Sequence, residues 1–119
     1  MNVRHILSQK GQTFHTIRPD QPLVEAVSAM MEHHIGALLV CDGDALKGIV
    51  SERDILRTID ARPEGLGGLE VREVMSSDLV TCAPDDGLDE VMSRMMDNTA
   101  GRRVRHLPVL EEDRIAGVL

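Results

Sequence analysis

The stretch Thr16-Ile-Arg-Pro-Asp-Gln-Pro-Leu-Val-Glu-Ala-Val-Ser-Ala-Met-Met31 decides the fold, because the chain repeats it. Its second version is Thr81-Cys-Ala-Pro-Asp-Asp-Gly-Leu-Asp-Glu-Val-Met-Ser-Arg-Met-Met96. Pro19 matches Pro84, Leu23 matches Leu88, and Met30-Met31 match Met95-Met96, all at an offset of 65 (84 − 19). Farther along, Ala37-Leu-Leu-Val40 matches His106-Leu-Pro-Val109, and Gly48-Ile-Val50 matches Gly117-Val-Leu119, now at an offset of 69 (109 − 40). Four extra residues therefore lie between helix and strand of the second copy, within Asp97 to Arg103. Self-similarity of this kind marks a duplicated structural unit.

Each copy has the same grammar. An extended opening segment (Phe14 to Ile17; Leu79 to Cys82) leads into a helix. Leu23, Ala26, Val27, Met30 and Met31 recur at i, i+3, i+4, i+7 and i+8, one helical stripe, and Leu88, Val91, Met92, Met95 and Met96 repeat it. Pro22 suits the first turn. Then comes a strand (Ala37 to Cys41; Leu107 to Leu110), an acidic turn (Asp42-Gly-Asp44; Glu111-Glu-Asp113) and a second strand (Leu46 to Val50; Ile115 to Leu119), which together read as a hairpin. After Val50 another helix is expected, with Ile55, Leu56 and Ile59 on its apolar face. Val71-Arg-Glu-Val-Met75 resembles Val3-Arg-His-Ile-Leu7, so a short helical lead-in is expected before each copy. The Gly-rich run from Arg62 to Leu69 reads as a linker. The expected division is residues 1–62 for the first copy, 63–70 for the linker and 71–119 for the second copy. A unit of under 60 residues buries little alone, so the two copies are expected to pack about a pseudo-twofold axis with a cleft between them.

Composition narrows the function. The 119 residues are 42% hydrophobic and 28% charged, as in a globular domain. No apolar run approaches the ~20 residues that span a bilayer, and the N-terminus lacks the layout of a secretory signal. A cytoplasmic location and no membrane partner are the expectation. A net charge of −7 argues against general nucleic-acid binding, although Arg102, Arg103 and Arg105 cluster beside His106. Phe14 is the only residue among Phe, Tyr and Trp, too few for base-stacking platforms. Cys41 and Cys82 have no metal-site or disulfide spacing and read as small buried hydrophobes. His33 and His34 are adjacent, cannot share a helical face, and read as a solvated helix end. No metal is expected.

The order just described, with Gly36-Ala-Leu-Leu-Val40, the acidic turn, Gly48-Ile-Val-Ser-Glu-Arg-Asp54 and Val104-Arg-His-Leu-Pro-Val109, resembles the cystathionine β-synthase (CBS) domain. The resemblance runs from Val3 to Leu119. It implies an α+β fold of two CBS-type repeats, the second without its closing helix because the sequence stops at Leu119. It also implies a module that dimerises and binds AMP, ADP, ATP or another adenosine-containing ligand, regulating an attached or partner protein rather than catalysing a reaction.

In that family the glycine–apolar–x–Ser/Thr–x–x–Asp segment touches ribose, which here implicates Ser51 and Asp54. Carboxylates accept charge-assisted hydrogen bonds from hydroxyls, and a helix N-terminus favours anions. The same Ser-x-x-Asp pattern is also close to a capping box, and both roles are expected. The resemblance implicates Arg105 and His106 of the second copy in phosphate binding; a solvated basic loop is the alternative for Arg105, and packing at a strand start for His106. Adenine is expected against Thr16, Ile17 and Ile49, with Pro108 across the cleft, although core packing also explains these positions. With copy two lacking the equivalent motif, at most one well-formed nucleotide site is expected. The competing reading is a dimerisation or protein-interaction module whose clefts stay empty. An enzyme is disfavoured, since no P-loop, metal cluster or nucleophile–base pattern can be placed.

Overall fold

A computed structural model describes residues 1–10, 14–96 and 106–119 of the chain. It forms two compact units, one from His15 to Leu79 and one from Met1–Phe14 together with Val80–Leu119. Both helices and strands are present in each, giving the expected α+β class.

In the His15–Leu79 unit, β1 (Thr16–Ile17) runs parallel to β2 (Ala37–Asp42), and β2 pairs antiparallel with β3 (Ala45–Ser51), in the order β1-β2-β3. Helices α2 (Leu23–His33) and α3 (Glu52–Ala61) supply the apolar cover. Alternation along the strands sends Ile17, Leu38, Val40 and Val50 into one cluster with Leu23, Ala26, Met30, Ile55 and Val71. The helical stripes are narrower than their sequence pattern. Met31 is 73% exposed, because at 100° per residue it falls about 80° around the helix from Leu23, at the margin of the stripe. Leu56 and Ile59 are exposed as well, leaving Ile55 as the α3 residue that reaches the core.

The linker is part of this unit. Leu66 and Leu69 pack against its core, and the Leu69 carbonyl accepts the Leu23 N–H at 2.8 Å, satisfying an otherwise orphaned donor at the start of α2, where no side chain caps. At the other end, His34 adopts a left-handed conformation (φ 54°), and both its N–H and that of Ile35 donate to the Met30 carbonyl, a Schellman-type stop.

The second unit holds α1 (Val3–Lys10), α4 (Leu88–Met96) and the hairpin β4 (Pro108–Glu111)–β5 (Arg114–Val118). Cys82 bridges Val109 in parallel, the counterpart of Ile17 beside Val40. Val3, Leu7, Cys82, Val91, Leu107 and Val109 make the core. Met92 lies outside it and is exposed.

The lead-ins change places relative to chain order. Val3 and Leu7, which precede copy one, are buried in the core of copy two; Val71, which precedes copy two, is buried in the core of copy one. The expected 1–62 and 71–119 division describes the sequence repeat, whereas packing cuts the chain differently. The docking is stereochemically matched. A Cβ on Gly117 would stand 2.8 Å from a Leu7 methyl, and a Cβ on Gly48 would stand 2.8 Å from both the Met75 sulfur and the Ser76 carbonyl oxygen. Glycine at both strand positions admits the incoming lead-in. The second lead-in is only a 3₁₀ turn, Val71–Glu73, continued by a two-way backbone pairing of Ser76 with Ile49.

Candidate functional site

Ser51 ends β3 and caps α3. Its Oγ accepts the Asp54 N–H at 3.3 Å, while its own N–H (2.9 Å) and its hydroxyl (3.0 Å) both donate to Asp54 Oδ2. This is a complete reciprocal capping box. The pattern therefore does its structural work in full, and the question becomes what hydrogen-bonding capacity remains. The Ser51 proton is committed, so Oγ retains only a lone pair. Oδ2 already accepts twice. Oδ1 is outside the box and faces Arg57 Nη1 at 3.7 Å. The Asp54 side chain as a whole keeps 14% of its surface exposed. What the box offers outward is two acceptors and no donor. With its proton directed to Asp54, the Ser51 hydroxyl stands as an acceptor.

Around the box, Ala37 pairs with Ser51, and Thr16, Leu39 and Ile49 form one row across β1, β2 and β3. Thr16 is exposed and Ile49 half-buried, on the sheet face opposite the helix-facing core. Ile17 points the other way. Its side chain packs with Leu23 and Val40, so only its backbone remains for a ligand. The structure thus gathers Thr16, Ile49, Ser51 and Asp54 on one unit. Ile49 is held rigidly, with both its N–H and carbonyl paired to Ser76 at 3.0 and 2.8 Å.

The other expected residues belong to the second unit. Pro108 starts β4, is fully buried, and accepts the Cys82 N–H. His106 is half-buried just before it. Arg105, with Arg102 and Arg103, lies outside the described residues. Sequence reasoning passed over Arg57 and the Met75–Ser76 clasp. Arg57 was legible as an Asp-x-x-Arg helical pair; the clasp was not, because nothing local links Ser76 to Ile49.

The thiols are buried and unpaired with each other. Burial raises the Cys41 thiol above its ordinary range and pushes Cys82 up to about 11, with the Asp86 charge adding to it. Both behave as small hydrophobes. Among the described residues no cluster of His, Cys, Asp and Glu could hold a metal ion, and no helix is long and apolar enough to cross a membrane.

Comparison with known proteins agrees with this architecture. The CBS domain family model matches residues 3–61 and again 71–119. The CBS domain-containing protein YhcV of Bacillus subtilis is 33% identical over 104 residues, covering 87% of this chain and 71% of that protein. Several other curated relatives are longer, and the chain spans half their length or less. A CBS-domain protein of Agrobacterium tumefaciens superposes with a TM-score of 0.88 at 31% identity, covering 100% of this chain and 92% of the other. At 21% identity, a likeness of fold alone, a CBS domain pair solved with 5′-methylthioadenosine and S-adenosyl-L-methionine has a TM-score of 0.81, covering 100% of this chain and 88% of that one.

Proposed function

This chain belongs to the CBS domain family and carries the domain twice, and from that premise we propose that it is a non-catalytic regulatory module that binds an adenine nucleotide, AMP, ADP or ATP, and works in the cytoplasm. The observation that carries the reading is the outward capacity of the Ser51–Asp54 box. Two adjacent acceptors suit two adjacent hydroxyl donors, which is the chemistry of a ribose 2′,3′-diol. One hydroxyl donates to Asp54 Oδ1 and its neighbour to Ser51 Oγ. Thr16 and Ile49 offer the nearby surface for the base. Arg105 and His106, implicated by the family resemblance, are the proposed phosphate ligands, as cationic or donor side chains. Adenosine ligands bound by a CBS pair of the same fold support the assignment of ligand class.

Titration calorimetry with AMP, ADP, ATP and S-adenosylmethionine tests it. Wild type is expected to bind at least one. Asp54→Asn keeps a side-chain oxygen for the capping box but removes the charge, and is expected to weaken binding about tenfold or more. Absence of heat with every ligand, or undiminished affinity in Asp54→Asn, refutes the reading.

Exposed Val24 and Met31 on α2, Leu56 and Ile59 on α3, and Met92 on α4 favour a second property, homodimerisation through helix faces, with or without a ligand. Sedimentation equilibrium tests it: a monomer at micromolar concentration excludes the dimer, and a dimer that binds no nucleotide favours an interaction module acting on a partner protein.

A further inference from the structure

Asp54 and Arg57 are separated by a distance that a hydroxyl group fits. Arg57 lies one helical turn after Asp54, with Nη1 3.7 Å from Oδ1. That is too long for a hydrogen bond and within ion-pair range. An oxygen about 2.7 Å from Oδ1 and about 2.9 Å from Nη1 closes a triangle whose third side is the observed gap. At that position a group must donate to the carboxylate and accept from the guanidinium. A hydroxyl does both. A phosphate oxygen has no proton to donate, and an ammonium has no lone pair to accept with. Arg57 is 59% exposed, so it can settle onto an arriving group without breaking a buried contact.

We infer that Arg57 is a specificity-determining residue that closes, with Asp54, a two-sided clamp on one hydroxyl of the ligand's sugar. This rests on the ribose reading above and narrows it. The ligand class is a ribonucleotide with both the 2′ and 3′ hydroxyls free. A deoxy or phosphorylated sugar at the clamped position loses the donor that Asp54 needs or presents an anion to its carboxylate. The bland account of the same geometry is an ordinary solvated i,i+3 ion pair, which would leave no trace in sugar selectivity.

The test is a cycle between protein and ligand. AMP, 2′-deoxy-AMP and 3′-deoxy-AMP are titrated into wild type, Arg57→Ala and Arg57→Lys, with thermal melts confirming that the exposed substitution leaves the fold intact. The expected result is a loss of about fivefold for AMP in Arg57→Ala, and no loss for the deoxy analogue that lacks the clamped hydroxyl. Arg57→Lys is expected to recover part of the loss, since it keeps a charge but not the rigid fork. The inference is overturned if Arg57→Ala costs the same factor against all three ligands, which is general attraction to the 5′-phosphate, or costs nothing. Failure of wild type to bind AMP, ADP, ATP or S-adenosylmethionine is visible before any variant is made and overturns the ribose reading, and the clamp with it.

Discussion

Replacing Leu7 with alanine should weaken copy two, not the copy that Leu7 precedes. Leu7 is 2% exposed, belongs to the cluster of Val3, Cys82, Val91, Leu107 and Val109, and has a methyl group seated where Gly117 lacks a side chain. The substitution removes three buried carbons at about 0.8 kcal/mol each and leaves a void that backbone hydrogen bonds on both sides resist closing, so about 3 kcal/mol is expected. Hydrogen exchange read segment by segment is the appropriate assay, because it resolves sub-global opening. About 3 kcal/mol corresponds to a loss of protection of about a hundredfold. That loss should appear in the amides of β4 and β5 and spare those of β2 and β3. Arg4 N–H to Pro84 carbonyl (2.8 Å) and Val3 N–H to Asp86 carbonyl (3.1 Å) tie α1 to the same unit, so the α1 amides should lose protection with it. Loss concentrated in β2 and β3, or shared equally between the two hairpins, refutes the crossed lead-in as the source of copy two's stability.

Three other outcomes follow from local geometry. Gly48→Ala should destabilise the chain by about 1–3 kcal/mol in urea titration, because its Cβ meets a backbone oxygen, whereas Gly117→Ala should cost less, because its Cβ meets only the movable Leu7 side chain; equal costs would contradict the packing. Asp86 accepts the Ala83 N–H and pairs with Arg94 at 2.9 Å, and these hold its carboxyl below the ordinary carboxylate value. A lowered folded-state pKa gives stability that is present above the unfolded value of about 3.9 and is lost as pH falls through the folded value, so Asp86→Asn should flatten the acid limb of the stability profile, and an unchanged limb counts against the pairing. Finally, Cys82, pushed up to about 11, should resist iodoacetamide at pH 8 in the native protein and react on denaturation; rapid native labelling would show that it is not buried.

Much of this molecule is legible in its sequence. The duplication, the helix and hairpin of each copy and the Ser51–Asp54 cap all follow from short-range pattern, because helix periodicity, strand alternation and capping are set by residues within a few positions of one another. The candidate site was half legible: residue types and spacing gave the Ser51–Asp54 box, while Thr16, Ile17 and Ile49 were expected at the base through the family resemblance alone. Neither said that Ile17 turns its side chain to the core, which depends on which sheet face the helices cover. Nor did they say which oxygens stay free once the box closes. That depends on the rotamers of Ser51, Asp54 and Arg57.

What the sequence determined by itself is therefore the repeat and the chemistry that each repeat carries. Tertiary structure alone decided the pairing of Val3 and Leu7 with copy two, and of Val71 and Met75 with copy one. The two lead-ins are nearly the same word, Val-Arg-His-Ile-Leu and Val-Arg-Glu-Val-Met, and the glycines that receive them are equivalent. Local pattern is blind to which key enters which lock. The choice is made by contacts between residues far apart in the chain, where burial of the whole lead-in, rather than any one residue's preference, sets the free energy.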